Sequence, residues 1–272
     1  MGALRPSSAP TLTLPREGRE QDQSTMRADQ LLVERGLAAS RSQAQRLIAS
    51  GVQWFDGAAW KRVAKNGDEL PEAASIELLD TAESRYVSRG GLKLEGALRV
   101  AALDVTGWNC LDVGQSTGGF TDCLLQHGAA RVTGVDVGHG QLHPRLRSDP
   151  RVTAIEKLNA RELTRDQVGG DFDLVTGDLS FISLTLVLPA LSPLLKPGGQ
   201  LLMLTKPQFE LQPGQVGKGG VVRDPALYPL VEQRLRDCCA SLGLAVLGWT
   251  DSPITGGDGN REFFLHAQNR GH

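Results

Sequence analysis

From Met26 onward, apolar and polar positions recur with two different periods, and the change between them divides the chain. Leu31, Leu32, Val33 and Leu37 fall at helical spacing, with Gly36 closing the segment. Ser40 stands as an N-cap before Arg41-Ser42-Gln43-Ala44-Gln45-Arg46-Leu47-Ile48, which predicts a second helix stopped by Ser50-Gly51. Strand-like pieces come next at residues 52–55, 60–63 and 76–79, separated by the turn signals Asp56-Gly57 and Asn66-Gly67. Two helices and a few twisted strands over residues 26–80 make a small α+β module. Residues 81–89 form a polar, basic connector.

Beyond residue 90 the pattern alternates strand and helix. Buried strands are expected at 110–114, 131–137, 152–155, 172–175 and 200–205, with closing strands at 244–249 and 261–265 and helices between, for example at 120–127. Seven strands in this alternation predict an α/β fold, a doubly wound, mostly parallel sheet of the Rossmann type, over residues 90–268. The longest apolar stretch, residues 181–195, is interrupted by Ser183, Pro189, Ser192 and Pro193 and is shorter than the ~18 residues of a membrane span, so a buried helix is expected there. Residues 1–25 have almost no apolar pattern; they predict a disordered tail, with Met26 a candidate start of the functional chain.

Composition refines this. With 40% hydrophobic and 22% charged residues, the 272-residue chain has apolar material for a sizeable core. A net charge of −2 argues against wholesale coating of nucleic acid, so any RNA contact must come from a local basic patch. Cys110, Cys123, Cys238 and Cys239 contain no C-x-x-C pair and, with the histidines, no metal-ligand spacing. Free thiols and no secretory signal point to the cytoplasm.

The first strand runs into Asp112-Val113-Gly114-Gln115-Ser116-Thr117-Gly118-Gly119-Phe120. Its glycines let the backbone approach a ligand, and the following helix N-terminus points free N–H groups at it. Twenty-two residues after Gly114, Asp136 ends the second strand, where an acid accepts hydrogen bonds from ribose hydroxyls. The loop is not G-x-G-x-x-G. An acid at its start and Ser-Thr-Gly-Gly within it suit a ligand without a pyrophosphate, S-adenosylmethionine before NAD. The expected cofactor set is Asp112, Gly114, Ser116, Thr117, Gly118, Gly119, Phe120, Asp136, Asn159 and Asp178.

Asp178 and Lys206 close the fourth and fifth strands, so they face one crevice outside the carboxyl ends of the sheet. Lys93 precedes the first strand, and Glu262 lies in the last strand pair. Each alone reads as an ordinary solvated charge. Together with Arg27-Ala28-Asp29-Gln30-Leu31-Leu32-Val33, Tyr86-Val87-Ser88-Arg89-Gly90-Gly91-Leu92-Lys93-Leu94, Gly177-Asp178-Leu179-Ser180-Phe181 and Lys206-Pro207-Gln208-Phe209-Glu210, they make the chain resemble the TlyA (haemolysin A-like) family of ribosomal RNA methyltransferases. That family joins an RNA-binding module of the ribosomal-protein S-four type to an FtsJ-like methyltransferase domain. The resemblance spans roughly residues 26–267, and Gln115 departs from the small residue usual at its position.

The resemblance implies S-adenosylmethionine-dependent 2′-O-methylation of ribose in ribosomal RNA, with Lys93, Asp178, Lys206 and Glu262 as the catalytic set and no metal. Ribosomal RNA or ribosomal subunits are the implied partners. A hydroxyl must lose its proton as it attacks, and a lysine accepts that proton only when neutral. Lys93 is expected to be the neighbouring cation that favours neutral Lys206, with Asp178 orienting Lys206 and Glu262 holding Lys93 or the ribose. Arg27, Arg41, Arg46, Arg85 and Arg89 are the expected RNA contacts, through phosphate. Rival readings are a pore-forming haemolysin, which lacks an amphipathic hairpin or membrane span here, and an RNA-binding protein with an inactive methyltransferase domain. A base methyltransferase would want a catalytic cysteine or an Asn/Asp-Pro-Pro-aromatic run, and neither is evident.

Overall fold

The computed structural model describes residues 24–79, 85–256 and 259–271. Three separate groups of buried apolar side chains organise them, one in the small N-terminal part and one on each face of a large sheet.

The small part runs β1 (Thr25–Arg27), α1 (Ala28–Glu34), α2 (Arg41–Gly51), β2 (Val52–Phe55), β3 (Trp60–Arg62), β4 (Glu69–Pro71) and β5 (Ser75–Leu78). The Ser40 hydroxyl caps α2 by accepting from the Gln43 amide at 3.3 Å. Leu31, Leu32, Ala44, Leu47 and Ile48 of the two helices bury against Val52, Val63 and Leu70. β1 pairs with β4, and β3-β2-β5 form a second sheet. Strands of three residues are too short to show alternation, so β1 and β4 carry no periodic signal. β1 starts at Thr25, inside the stretch expected to be tail, and pairs there with Pro71. The rest of that tail, residues 1–23, lies outside the described residues, as do residue 80 and residues 81–84 of the connector. Further along the connector, Tyr86 and Val87 are buried, and the Tyr86 carbonyl accepts from Gln43 Nε2 at 3.3 Å, tying α2 to the connector's last turn.

The large sheet and its helices comprise α3 (Gly90–Val100), β6 (Asn109–Val113), α4 (Gly119–Gln126), β7 (Arg131–Asp136), α5 (Pro144–Arg147), β8 (Val152–Glu156), α6 (Arg165–Val168), β9 (Phe172–Asp178), α7 (Leu188–Leu191), β10 (Leu195–Thr205), α8 (Pro207–Glu210), α9 (Leu227–Ser241), β11 (Leu244–Asp251) and β12 (Phe263–Asn269). The seven-stranded order is β11-β12-β10-β9-β6-β7-β8. Its pairs are parallel except those of β12, which runs antiparallel to β10 and β11. Strand period places Leu201 and Met203 of β10 in the core with Val231 and Leu235 of α9, and Leu202 and Leu204 in the opposite core with Leu94, Leu98 and Leu124 of α3 and α4. Both faces are covered, which is why the strands read as near-continuous apolar runs.

Residues 181–195 do not form the expected single helix. They break into a 3₁₀ turn at Leu184–Leu186, the four-residue α7 and a second 3₁₀ turn at Ser192–Leu194. Pro189 and Pro193 each remove a backbone donor and sit in the first turn of a new piece, so one continuous helix is not available. Leu184, Val187, Leu188, Leu191 and Leu194 are buried, whereas Phe181 at the head of the segment is 89% exposed.

Candidate active site

Strand order reverses between β6 and β9, since β6 leads on to β7 on one side while β9 lies on the other. The loops leaving β6 and β9 therefore diverge and open a crevice at the carboxyl ends of the strands. The cleft there has a volume of about 270 Å³ and is bordered by Ser88, Gly114, Ser116, Phe120, Asp178 and Lys206, among others. Gly114 adopts φ +82°, and a Cβ on it would stand 2.7 Å from the Asp178 carbonyl oxygen, so the two loops touch only because this residue has no side chain. Gly118, at φ +98°, turns the chain into α4, and a side chain there would collide with Leu146 and Leu142.

Of the expected cofactor residues, Gly114, Ser116, Thr117, Gly119, Phe120 and Asp178 line the cleft, and Asp112, Gly118 and Asp136 do not. Asp136 Oδ2 accepts from the Ser116 amide at 2.7 Å and its Oδ1 from the Gly138 amide at 2.7 Å, which clips β7 to the loop. Asp112 is buried; its Oδ2 accepts from the Thr121 hydroxyl at 2.7 Å, and its Oδ1 has no hydrogen-bond partner among the described residues. Gln115 is not accommodated as the small residue it replaces. Its side chain folds inward over Gly134, where a Cβ would collide with it, and its Nε2 donates to Thr121 Oγ1 at 2.9 Å. A buried relay Gln115–Thr121–Asp112 results, which the sequence signalled only through an unusual residue. Asn159, after β8, is absent from the cleft lining; its Oδ1 caps the Ala160–Glu162 turn by accepting from Arg161 N at 3.0 Å.

Burial pushes the Asp112 carboxyl up to about 7, against the Thr121 hydrogen bonds and with help from the negative fields of Asp178 and Asp136. The folded state thus holds this proton more tightly than the unfolded chain. Stability from this group is fully present below the usual carboxylate range and is lost as pH rises through about 7. Asp112→Asn, which keeps an acceptor for Thr121 but cannot ionise, should therefore melt several degrees higher than the parent at pH 8, with the gap narrowing towards pH 4. Thermal unfolding at both pH values measures it, and a gap independent of pH refutes the account.

Lys93, Asp178, Lys206 and Glu262 meet at adjoining strand ends. β10 and β12 pair as far as Thr205 with Phe263, so the next residue out on each side is Lys206 and Glu262, while Asp178 ends β9 opposite Leu204. Lys93, from α3, reaches Glu262 Oε2 at 2.5 Å, and both are buried. Lys206 Nζ stands 2.6 Å from Asp178 Oδ1 and donates to Ser180 Oγ at 2.8 Å, on the cleft wall. The expected confrontation of two ammonium groups is thus replaced by two closed ion pairs, and the four charges sum to zero. Ser180, two residues past Asp178, was missed as a functional position; its place on the same strand exit was the available signal.

The expected RNA contacts divide. Arg27 and Arg41 converge on the buried carboxylate of Asp29 at 3.1 and 3.0 Å, with their own side chains about half exposed. Arg46 donates to the Ser42 carbonyl. Arg85 pairs with Glu95 at 2.6 Å, and Arg89 donates to the Thr255 carbonyl at 3.4 Å. Among the described residues no group of three or more His, Cys, Asp or Glu is gathered for a metal, and no helix is long and apolar enough to cross a membrane.

The cleft fits S-adenosylmethionine on its own chemistry. Asp178 lines it, and Asp112 and Asp136 stand behind its loop in β6 and at the end of β7, close enough for their fields to reach one another; Asp112 keeps a buried oxygen without a partner among the described residues. Such surroundings favour a cationic sulfonium and ammonium over an anionic pyrophosphate.

Fold and site together define a Rossmann-type methyltransferase. The family model described as FtsJ-like methyltransferase matches residues 86–269. The chain is 46% identical over 239 residues to the 16S/23S rRNA (cytidine-2′-O)-methyltransferase TlyA of Mycobacterium tuberculosis, covering 88% of each. It is 37% identical to hemolysin A of Brachyspira hyodysenteriae, over 89% of this chain and 99% of that one. A solved structure from Streptococcus thermophilus, named for a hemolysin, superposes with TM-score 0.70 at 40% identity, covering 91% of this chain and 89% of that one. The chain belongs to the TlyA family within the FtsJ-like methyltransferases.

Proposed function

We propose that this protein methylates ribose 2′-hydroxyls of ribosomal RNA, with S-adenosylmethionine in the cleft between the β6 and β9 loops, and acts in the cytoplasm. The observation that carries the reading is the placement of Lys206 and Asp178, 2.6 Å apart, on the wall of that cleft. When bound, S-adenosylmethionine supplies a methyl group activated by its sulfonium. Asp136 and the Gly114–Gly119 backbone would hold the adenosine and amino-acid parts, and Asp112 would offer its unpartnered oxygen to the cationic end.

The chain's own chemistry concerns the proton. In-line displacement needs the ribose oxygen aligned and its proton removed as it attacks. Lys206 Nζ takes that proton once it has released its own to solvent through the cleft, and Asp178 and Ser180 fix its direction. The buried Lys93–Glu262 pair, whose Glu262 is the strand position across from Lys206, would hold the ribose edge. Arg27, Arg41, Arg46, Arg85 and Arg89 supply phosphate contacts that position the RNA without reading its sequence. No cysteine lines the cleft among the described residues, so the cysteine-dependent route to carbon methylation of a base has no nucleophile there.

The test is to map 2′-O-methyl groups on ribosomal RNA incubated with purified protein and S-adenosylmethionine. New ribose methylation that disappears in Lys206→Ala is expected. Methyl groups found only on bases would overturn the reading. Dye leakage from liposomes with no methyl transfer would favour the pore-forming alternative.

A further inference from the structure

Two chain segments leave the sheet side by side, residues 178–184 after β9 and residues 206–210 after β10, and three contacts lace them together. Lys206 reaches Asp178 and Ser180 at the cleft. One step further out, the rings of Phe181 and Phe209 meet at 5.0 Å. Furthest from the cleft, Glu210 at the end of α8 accepts from the Ser183 hydroxyl at 2.5 Å and from the Leu184 amide at 2.7 Å. The Glu210 side chain is buried, and α9 fixes its backbone through the Arg234 guanidinium, which donates to the Glu210 carbonyl. A buried carboxyl is costly unless its oxygens are engaged. Here both oxygens engage the segment that carries Asp178.

Phe181 lies between the two ends of this lacing at φ +64°, a backbone region that L side chains rarely adopt. Such a conformation persists when surrounding contacts over-determine it. Releasing the outer contact lets the 178–184 segment relax, and the residues that move with it are Asp178 and Ser180.

We propose that Glu210 is a positioning residue for methyl transfer, holding Lys206 in register with Asp178 and Ser180 by clamping their two segments together. The inference rests on the reading of Lys206 as the proton acceptor. Burial pushes the Glu210 carboxyl up from its ordinary range, against the hydrogen bonds from Ser183 and Leu184. The clamp needs acceptors and a matching shape more than it needs charge. An amide in its place accepts from Leu184 and donates to a turned Ser183 hydroxyl.

The experiment uses the full chain, with S-adenosylmethionine and ribosomal RNA in single turnover well below the melting temperature. Glu210→Ala is expected to slow transfer about 10- to 100-fold, the scale of a small misalignment at the reacting atoms. Cofactor Kd and RNA KM should stay near wild type, and Glu210→Gln should recover most of the rate. Ser183→Ala should fall between and be less than additive with Glu210→Ala. In a Lys206→Ala background, Glu210→Ala should cause little further loss of the residual rate. A folded Glu210→Ala variant that transfers at the wild-type rate overturns the inference, as does an undiminished effect in the Lys206→Ala background. If Glu210→Ala does not fold, Ser183→Ala at the wild-type rate overturns it. Absence of transfer by the wild-type protein defeats the functional reading instead, so the two failures are distinguishable.

Discussion

Replacing Lys206 with alanine is expected to lower the single-turnover rate of methyl transfer by roughly two to four orders of magnitude, the range of a positioned general base. Cofactor affinity should hardly change, because the groups clipped around the loop, Asp136 with the Ser116 and Gly138 amides, lie at the ends of β6 and β7 and do not depend on Lys206. Lys206→Arg should not restore the rate, since a guanidinium keeps its proton throughout the working range. In the wild type, Lys206 begins paired with Asp178 at 2.6 Å, so a proton must leave that pair before Nζ can accept one from the ribose. Substantial transfer by Lys206→Ala at any pH where it stays folded removes Lys206 from the role.

How much of the site was legible in the sequence depended on whether a residue's task was set locally. Asp112, Asp136, Asp178 and Lys206 each sit where a strand ends, and strand ends in an alternating α/β pattern are readable from period and glycine alone. Their convergence follows from topology. Partner choice did not follow. Asp29 reads as one more polar position of a first helix, yet it is fully buried and gathers Arg27 and Arg41, both expected to face RNA. Lys93 and Lys206 read as two cations in one crevice; that Asp178 goes with Lys206 came only with the resemblance, which left Glu262 to Lys93 or the ribose, and the side-chain contacts give two ion pairs. The apolar run at 181–195 carries enough leucine for a helix, but Pro189 and Pro193, which count against a membrane span, break the helix as well. Glu210 was visible only as the last letter of a motif, because its partners Ser183 and Leu184 are more than twenty residues away.

The Lys93–Glu262 pair should show the largest effect on stability, and it separates folding from catalysis. Lys93 Nζ and Glu262 Oε2 are 2.5 Å apart, with side chains 9% and 3% exposed. Removing one member leaves the other charge buried and unmatched, which costs on the order of 3–5 kcal/mol. For a domain of this size that is a fall in Tm of on the order of 10 °C. Lys93→Met and Glu262→Met should each show it, and each should lose methyl transfer. The double substitution Lys93→Met with Glu262→Met removes both charges and fills the space with flexible apolar side chains, so most of the lost Tm should return. Methyl transfer should not return with it, because the ribose edge no longer meets a charged pair beside Lys206. Thermal unfolding and single-turnover transfer on the same three variants provide the comparison. If the double variant regains activity along with stability, the pair is a structural element only. If the single variants melt like wild type, the two charges do not form a closed buried contact.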